Sequence, residues 1–105
     1  MANTAAIHCS LTQEDQRRRR SQVRATIVPQ VRSVNSLADG LRIDFVIAEG
    51  LRELVEEFIA LERECCSFLT FTLSVKNEDM SLLIQGPREA AQVIDMFRRT
   101  ALGET

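Results

Sequence analysis

Two stretches of this chain repeat one order of patterns: period-two alternation, a turn, alternation again, then helical periodicity. In the first, Val31–Val46 alternates, with Leu41, Ile43 and Phe45 separated by Arg42 and Asp44, and Asp39-Gly40 supplies a hairpin turn. A helix then follows Ala48-Glu49-Gly50, its apolar residues Leu51, Leu54, Val55, Phe58, Ile59 and Leu61 on one broad face, and it ends near Cys65 or Cys66. In the second, Leu69, Phe71, Leu73 and Val75 alternate with Thr70, Thr72 and Ser74. A polar turn at Lys76-Asn77-Glu78-Asp79 returns the chain through Ser81-Leu82-Leu83-Ile84. Gly86-Pro87 opens the last helix, with Ala90, Val93, Ile94, Phe97 and Ala101 as its buried stripe.

The parallel between Gly50-Leu51-Arg52-Glu53 and Gly86-Pro87-Arg88-Glu89, each opening a helix after a hairpin, predicts a doubled ββα unit. Ahead of it, Thr12-Gln13-Glu14-Asp15 reads as a helix start with Thr12 as N-cap, and this helix is expected to run toward Val28, where Pro29 ends or kinks it. The expected fold is α+β: an N-terminal helix, then two hairpins joined in one four-stranded antiparallel sheet with helices on one face. At 105 residues, positions 1–105 are expected to form a single domain. A sheet this small leaves a face and two edges open, so pairing of two copies into a homodimer is a second way to cover them.

Composition narrows the function classes. The chain is 45% hydrophobic and 27% charged with a net charge of −2, which suits a folded domain and promises no broad basic surface for nucleic acid. Trp and Tyr are absent, so the stacking platforms of single-strand binders are missing. No stretch approaches the ~20 apolar residues of a membrane span, and the first eight residues lack the features of a signal peptide. The expected location is the cytoplasm, where the three cysteines stay reduced and serve metal binding, redox chemistry or packing.

Cys65 and Cys66 are adjacent, about 3.8 Å apart at Cα across a trans peptide, short of the roughly 4.4–6.8 Å of an unstrained disulfide. At about 100° per residue, Cys65 falls about 20° from Phe58 on the helical projection and Cys66 to one side, while Glu62, about 40° from Phe58, turns a carboxylate toward the same apolar face. A charge that dry needs a partner or a proton. Cys9 lies just ahead of the first helix, where the macrodipole favours a thiolate, with His8, the only histidine, beside it. If the N-terminal segment packs over the end of the second helix, Cys9, Cys65 and Cys66 make a three-sulfur site, with His8 or Glu62 as a fourth donor. Soft thiolates select ions such as Cu(I) and Zn(II), and by the same argument As(III) and Hg(II). The spacing matches no C-x₂-C zinc pattern, so two other readings stand beside this one: a dithiol redox protein, or an interaction domain whose cysteines only pack.

Arg17-Arg18-Arg19-Arg20 points in four directions on a helix and reads as a solvated face paired in part with Glu14 and Asp15. No carboxylate pair, phosphate-cradling glycine loop or Ser-His-Asp spacing is present, and the balance favours a protein that is not an enzyme.

The run Glu62-Arg63-Glu64-Cys65-Cys66-Ser67-Phe68-Leu69-Thr70-Phe71, with Cys9-Ser10-Leu11 before a charged helix, Asp39–Phe45 in a hairpin and Gly86-Pro87 before the last helix, resembles a group of small uncharacterised bacterial proteins. They share a Glu-Arg-x-Cys-Cys-x-Phe-Leu-x-Phe core, often with proline where this chain has Ser67. The likeness spans nearly the whole chain, and an association of such proteins with heavy-metal resistance implies a thiol-based metal or metalloid role. Carried over by position, the implied binding residues are Cys9, Cys65 and Cys66. No catalytic activity comes with the resemblance.

Overall fold

In the computed structural model, which describes residues 13–103, the two hairpins meet through their second strands. Strands β1 (Val31–Leu37) and β2 (Gly40–Val46) form the first, and β3 (Thr70–Lys76) and β4 (Asp79–Gln85) the second. Each neighbouring pair is antiparallel, in the order β1-β2-β4-β3. Val31 to Thr70 and Gly40 to Asp79 are both steps of 39 residues, so the units repeat strand for strand. Ile43 pairs with Leu82, its own equivalent at that step, which puts an approximate internal two-fold through the middle of the sheet.

Helix α1 spans Gln13–Thr26, α2 Leu51–Cys65 and α3 Ala91–Ala101. α1 stops two residues short of the expected Val28, because the chain tightens into a short 3₁₀ turn at Val28–Gln30 around Pro29, which lacks an amide donor. The expected N-cap, Thr12, lies outside the described residues. The last helix likewise begins with a 3₁₀ turn, Arg88–Ala90, before α3 proper. Gly50 caps α2 at φ +80, a left-handed conformation that glycine adopts without steric cost. Each helix of the doubled unit crosses to the other unit's strands, α2 packing on β3 and α3 on β1 and β2.

Alternation decides which face is covered. Leu41, Ile43 and Phe45 on β2 and Met80, Leu82 and Ile84 on β4 are all buried under the helices. There Phe58 of α2, Phe71 of β3 and Phe97 of α3 meet edge to face, with centroids 6.0–6.4 Å apart. The opposite face is polar and open, and at its centre Asp44 is nonetheless buried. Its carboxylate accepts hydrogen bonds from Ser81 Oγ at 2.6 Å, Ser33 Oγ at 2.9 Å, Arg42 at 3.3 Å and Asn35 Nδ2 at 3.4 Å. Among the described residues, no helix is long and apolar enough to cross a membrane.

Candidate functional site at the end of helix α2

Leu51, Val55, Ile59, Glu62 and Cys66 step along one side of α2 at intervals of four, four, three and four, and all five are buried. The centre of the buried stripe therefore runs through Val55 and Ile59, while Phe58 stands half-buried at its margin. That shift moves the thiol assignment by one position. Cys66, expected to one side, lies about 20° from Ile59 on the same projection and is 1% exposed. The side chain of Cys65 lies outside the described residues, as do His8 and Cys9; Cys65 contributes the last residue of α2.

Cys66 is the C-cap of α2 (φ −124, ψ 65), its amide donating to the Glu62 carbonyl at 2.6 Å. Its own carbonyl accepts from Leu69 N at 3.0 Å, turning the chain toward β3. Arg63 fastens the junction from outside by donating to the Phe71 carbonyl at 2.9 Å. The backbone departs from helical geometry at this junction, and the Cys66 thiol is seated inward.

Glu62 is 6% exposed and has the partner its burial demands. Arg19 Nη1 of α1 donates to Glu62 Oε2 at 2.8 Å, and Cys66 Sγ donates to Glu62 Oε1 at 3.8 Å. One carboxylate thus binds a guanidinium on one oxygen and a thiol on the other. Burial, and then the charge of Glu62 with its hydrogen bond, push the Cys66 thiol up to about 12, against the smaller opposing pull of Arg19. At neutral pH the sulfur carries its proton.

On the sequence alone Arg19 belongs to a solvated run, whereas the structure divides that run. Arg17 and Arg18 are exposed, with Arg18 3.9 Å from Glu14, but Arg19 and Arg20 turn inward. The signal was there: Arg19, Val23 and Ile27 are spaced by four, so the arginine shares the buried face of α1. Arg19 and Gln22 together with Val23 and Thr26 line one crevice with Leu54, Glu57, Phe58 and Leu61 of α2. With Arg19 at Glu62, this makes the two helices antiparallel neighbours. The N-terminal end of α1, six residues or about 9 Å beyond Arg19, thus points toward the Cys66 end of α2.

Glu62 and Cys66 are the two expected site residues whose side chains are described, and the structure brings them together. Among the described residues, no group of three or more His, Cys, Asp or Glu side chains gathers in a way that would hold a metal ion. Comparison of the chain with protein-family models, with curated proteins and with solved structures gives no match.

Proposed function

We propose that this protein binds a soft metal or metalloid ion of the mercury, arsenic, zinc or copper class in the cytoplasm, through thiolate chemistry at the C-terminal end of α2, for sequestration, transfer or sensing. The observation that carries the reading is the contact between Cys66 Sγ and Glu62 Oε1, which sets a carboxylate beside a thiol that must lose its proton before it can ligate. When an ion forms a bond to sulfur, the S–H bond breaks, Glu62 takes the proton and solvent receives it. Coordination itself supplies the drive, because a bound cation deprotonates a thiol outright.

Cys65 adjoins Cys66, and Cys9 and His8 precede Gln13 by four and five residues. Four extended residues reach at most about 14 Å, so the reading requires the leader to fold back over the Cys66 end of α2, the end toward which α1 runs. The raised thiol pKa argues against Cys66 as the attacking group of a dithiol exchange cycle, since the thiolate is the nucleophile.

The test is titration of reduced, chelator-free protein with Hg(II), As(III), Zn(II) and Cu(I), read by the thiolate-to-metal charge-transfer absorption and by native mass spectrometry. One-to-one binding that weakens in each of Cys9→Ser, Cys65→Ser and Cys66→Ser is the expected result. Stoichiometric binding that survives all three substitutions removes the proposal.

A further inference from the structure

Between the helices and the sheet lies an apolar cavity of about 80 Å³, walled by Val23, Ile27, Val55, Phe58, Phe97 and Ala101. It is about half the size of the ~150 Å³ engineered cavity that stays dry and takes up benzene. Its space therefore suits a short branched alkyl group of about three or four carbons. The carboxylate on its wall, Glu62, is already neutralised by Arg19.

The cavity does not end in solvent of neutral character. Arg20 of α1 and Met96 and Thr100 of α3 line both it and an adjoining open groove between those helices. The charged lining of that groove is Arg20, Arg24, Arg99 and Asp95, a net charge of +2. Asp95 is held by Arg98 at 2.7 Å and Arg99 at 2.9 Å, while Arg20 and Arg24 have no acidic partner among the described residues. Arg24 Nε is moreover buried without a hydrogen-bond partner among the described residues, which leaves it for a water or a bound group to satisfy.

From this juxtaposition of a dry apolar chamber with an unsatisfied cationic mouth we infer that the site takes a small amphipathic carboxylate. The branched alkyl end fills the chamber, and the carboxylate accepts from Arg20 and Arg24. An apolar wall gives the tail its affinity and the guanidiniums fix its orientation, the usual division of labour in a ligand pocket. The chamber shares the Glu62–Arg19 pair with the thiol site proposed above, but neither the alkyl end nor the carboxylate of the ligand depends on Cys66.

The probe is 3-methylbutanoate, titrated into the isotopically labelled full chain and followed by amide chemical shifts of α1 and α3. Acetate serves as the head without the tail and 3-methylbutan-1-ol as the tail without the charge. Each methylene buried strengthens binding about fourfold, so 3-methylbutanoate is expected to bind at least tenfold more tightly than acetate. Arg24→Gln and Arg20→Gln each weaken the acid by about tenfold and leave the alcohol unchanged. Ala101→Leu fills the chamber and brings 3-methylbutanoate down to the affinity of acetate; should that variant fail to fold, the two arginine variants and the ligand pair decide. Equal affinity for acetate and 3-methylbutanoate, or an acid affinity indifferent to both arginines, overturns the inference. Binding unaffected by Cys66→Ser supports it and leaves the ion-binding question to its own experiment.

Discussion

Cys66 Sγ donates to Glu62 Oε1 across 3.8 Å, one helical turn back along α2, and both side chains are almost wholly shielded from water. Burial and the neighbouring carboxylate make ionisation of the Cys66 thiol harder, while Arg19 supplies the charge partner of Glu62. The geometry leaves the sulfur protonated and inert until something displaces its proton.

The first consequence concerns reactivity and pH. With its pKa raised from 9.0 to about 12, Cys66 should resist iodoacetamide at pH 8 in the folded protein and react fully in denaturant. The sign for stability follows from the raised value: the group's contribution is complete below the unfolded-state pKa near 9 and disappears as pH rises toward 12. Mass mapping of alkylated peptides checks the first point, and alkaline denaturation of the parent beside Cys66→Ala the second. Equal labelling of Cys66 with and without denaturant would mean that the site opens freely.

The ion pair should matter more than a surface pair. Arg19→Ala leaves the Glu62 carboxylate buried and uncompensated, and we expect a loss of about 3 kcal/mol, the lower end of the range for breaking a buried pair, since the Arg19 side chain is 16% exposed. Replacing both partners, as in Arg19→Met with Glu62→Leu, should recover most of it. Urea denaturation measures both, and a loss in Arg19→Ala below about 0.5 kcal/mol would place the pair among solvent-screened contacts.

Much of the fold could be read from the chain because its signals are local. Alternation at Leu41–Phe45 and Phe71–Val75, helical spacing from Leu51 onward and the turn residues at Asp39-Gly40 gave both hairpins, their helices and the four-stranded sheet. What periodicity could not give was position within one turn. Centring α2 on Phe58, when Ile59 lies nearer the middle of the buried stripe, put Cys66 to one side of a face on which it is in fact buried. Glu62's need for a partner was foreseeable from its place on the apolar face. The partner itself was not, since Arg19 lies 43 residues away and nothing local ties the two. The cavity and its arginines were equally out of reach, being properties of three helices packed together.

Asp44 carries the acid sensitivity of the sheet. The hydrogen bond from Ser81 holds its carboxyl below the usual value of 3.8, burial acts in the opposite sense, and Ser33 and Arg42 add to the lowering. A depressed native pKa means the contribution is present above the unfolded-state value and is lost as pH falls through the native one. Asp44→Asn should therefore cost about 1–2 kcal/mol at pH 7, with the gap to the parent closing below pH ~4. A gap that stays constant from pH 7 to pH 2 would show that the charge contributes nothing.

Two glycines separate steric crowding from backbone conformation. Gly40 begins β2, facing Leu37 on one side and Gln85 on the other, and a Cβ there would run into the Ile84 carbonyl oxygen and come within 2.9 Å of Gln85 Cα. These are backbone atoms of a central strand that cannot swing aside, so Gly40→Ala has to part β2 from β4 at the start of their ladder. We expect a loss of about 3 kcal/mol, the upper part of the overpacking range. Gly50 has open space around its Cα but a φ of +80, so Gly50→Ala should cost only the left-handed penalty of about 1–2 kcal/mol. Thermal or urea unfolding of the two variants ranks them, and because the difference arises where the two ββα units join, amide exchange in Gly40→Ala should rise first at Gly40, Leu41, Ile84 and Gln85. A Gly40→Ala protein as stable as the parent would mean that the β2–β4 seam is looser than this register requires.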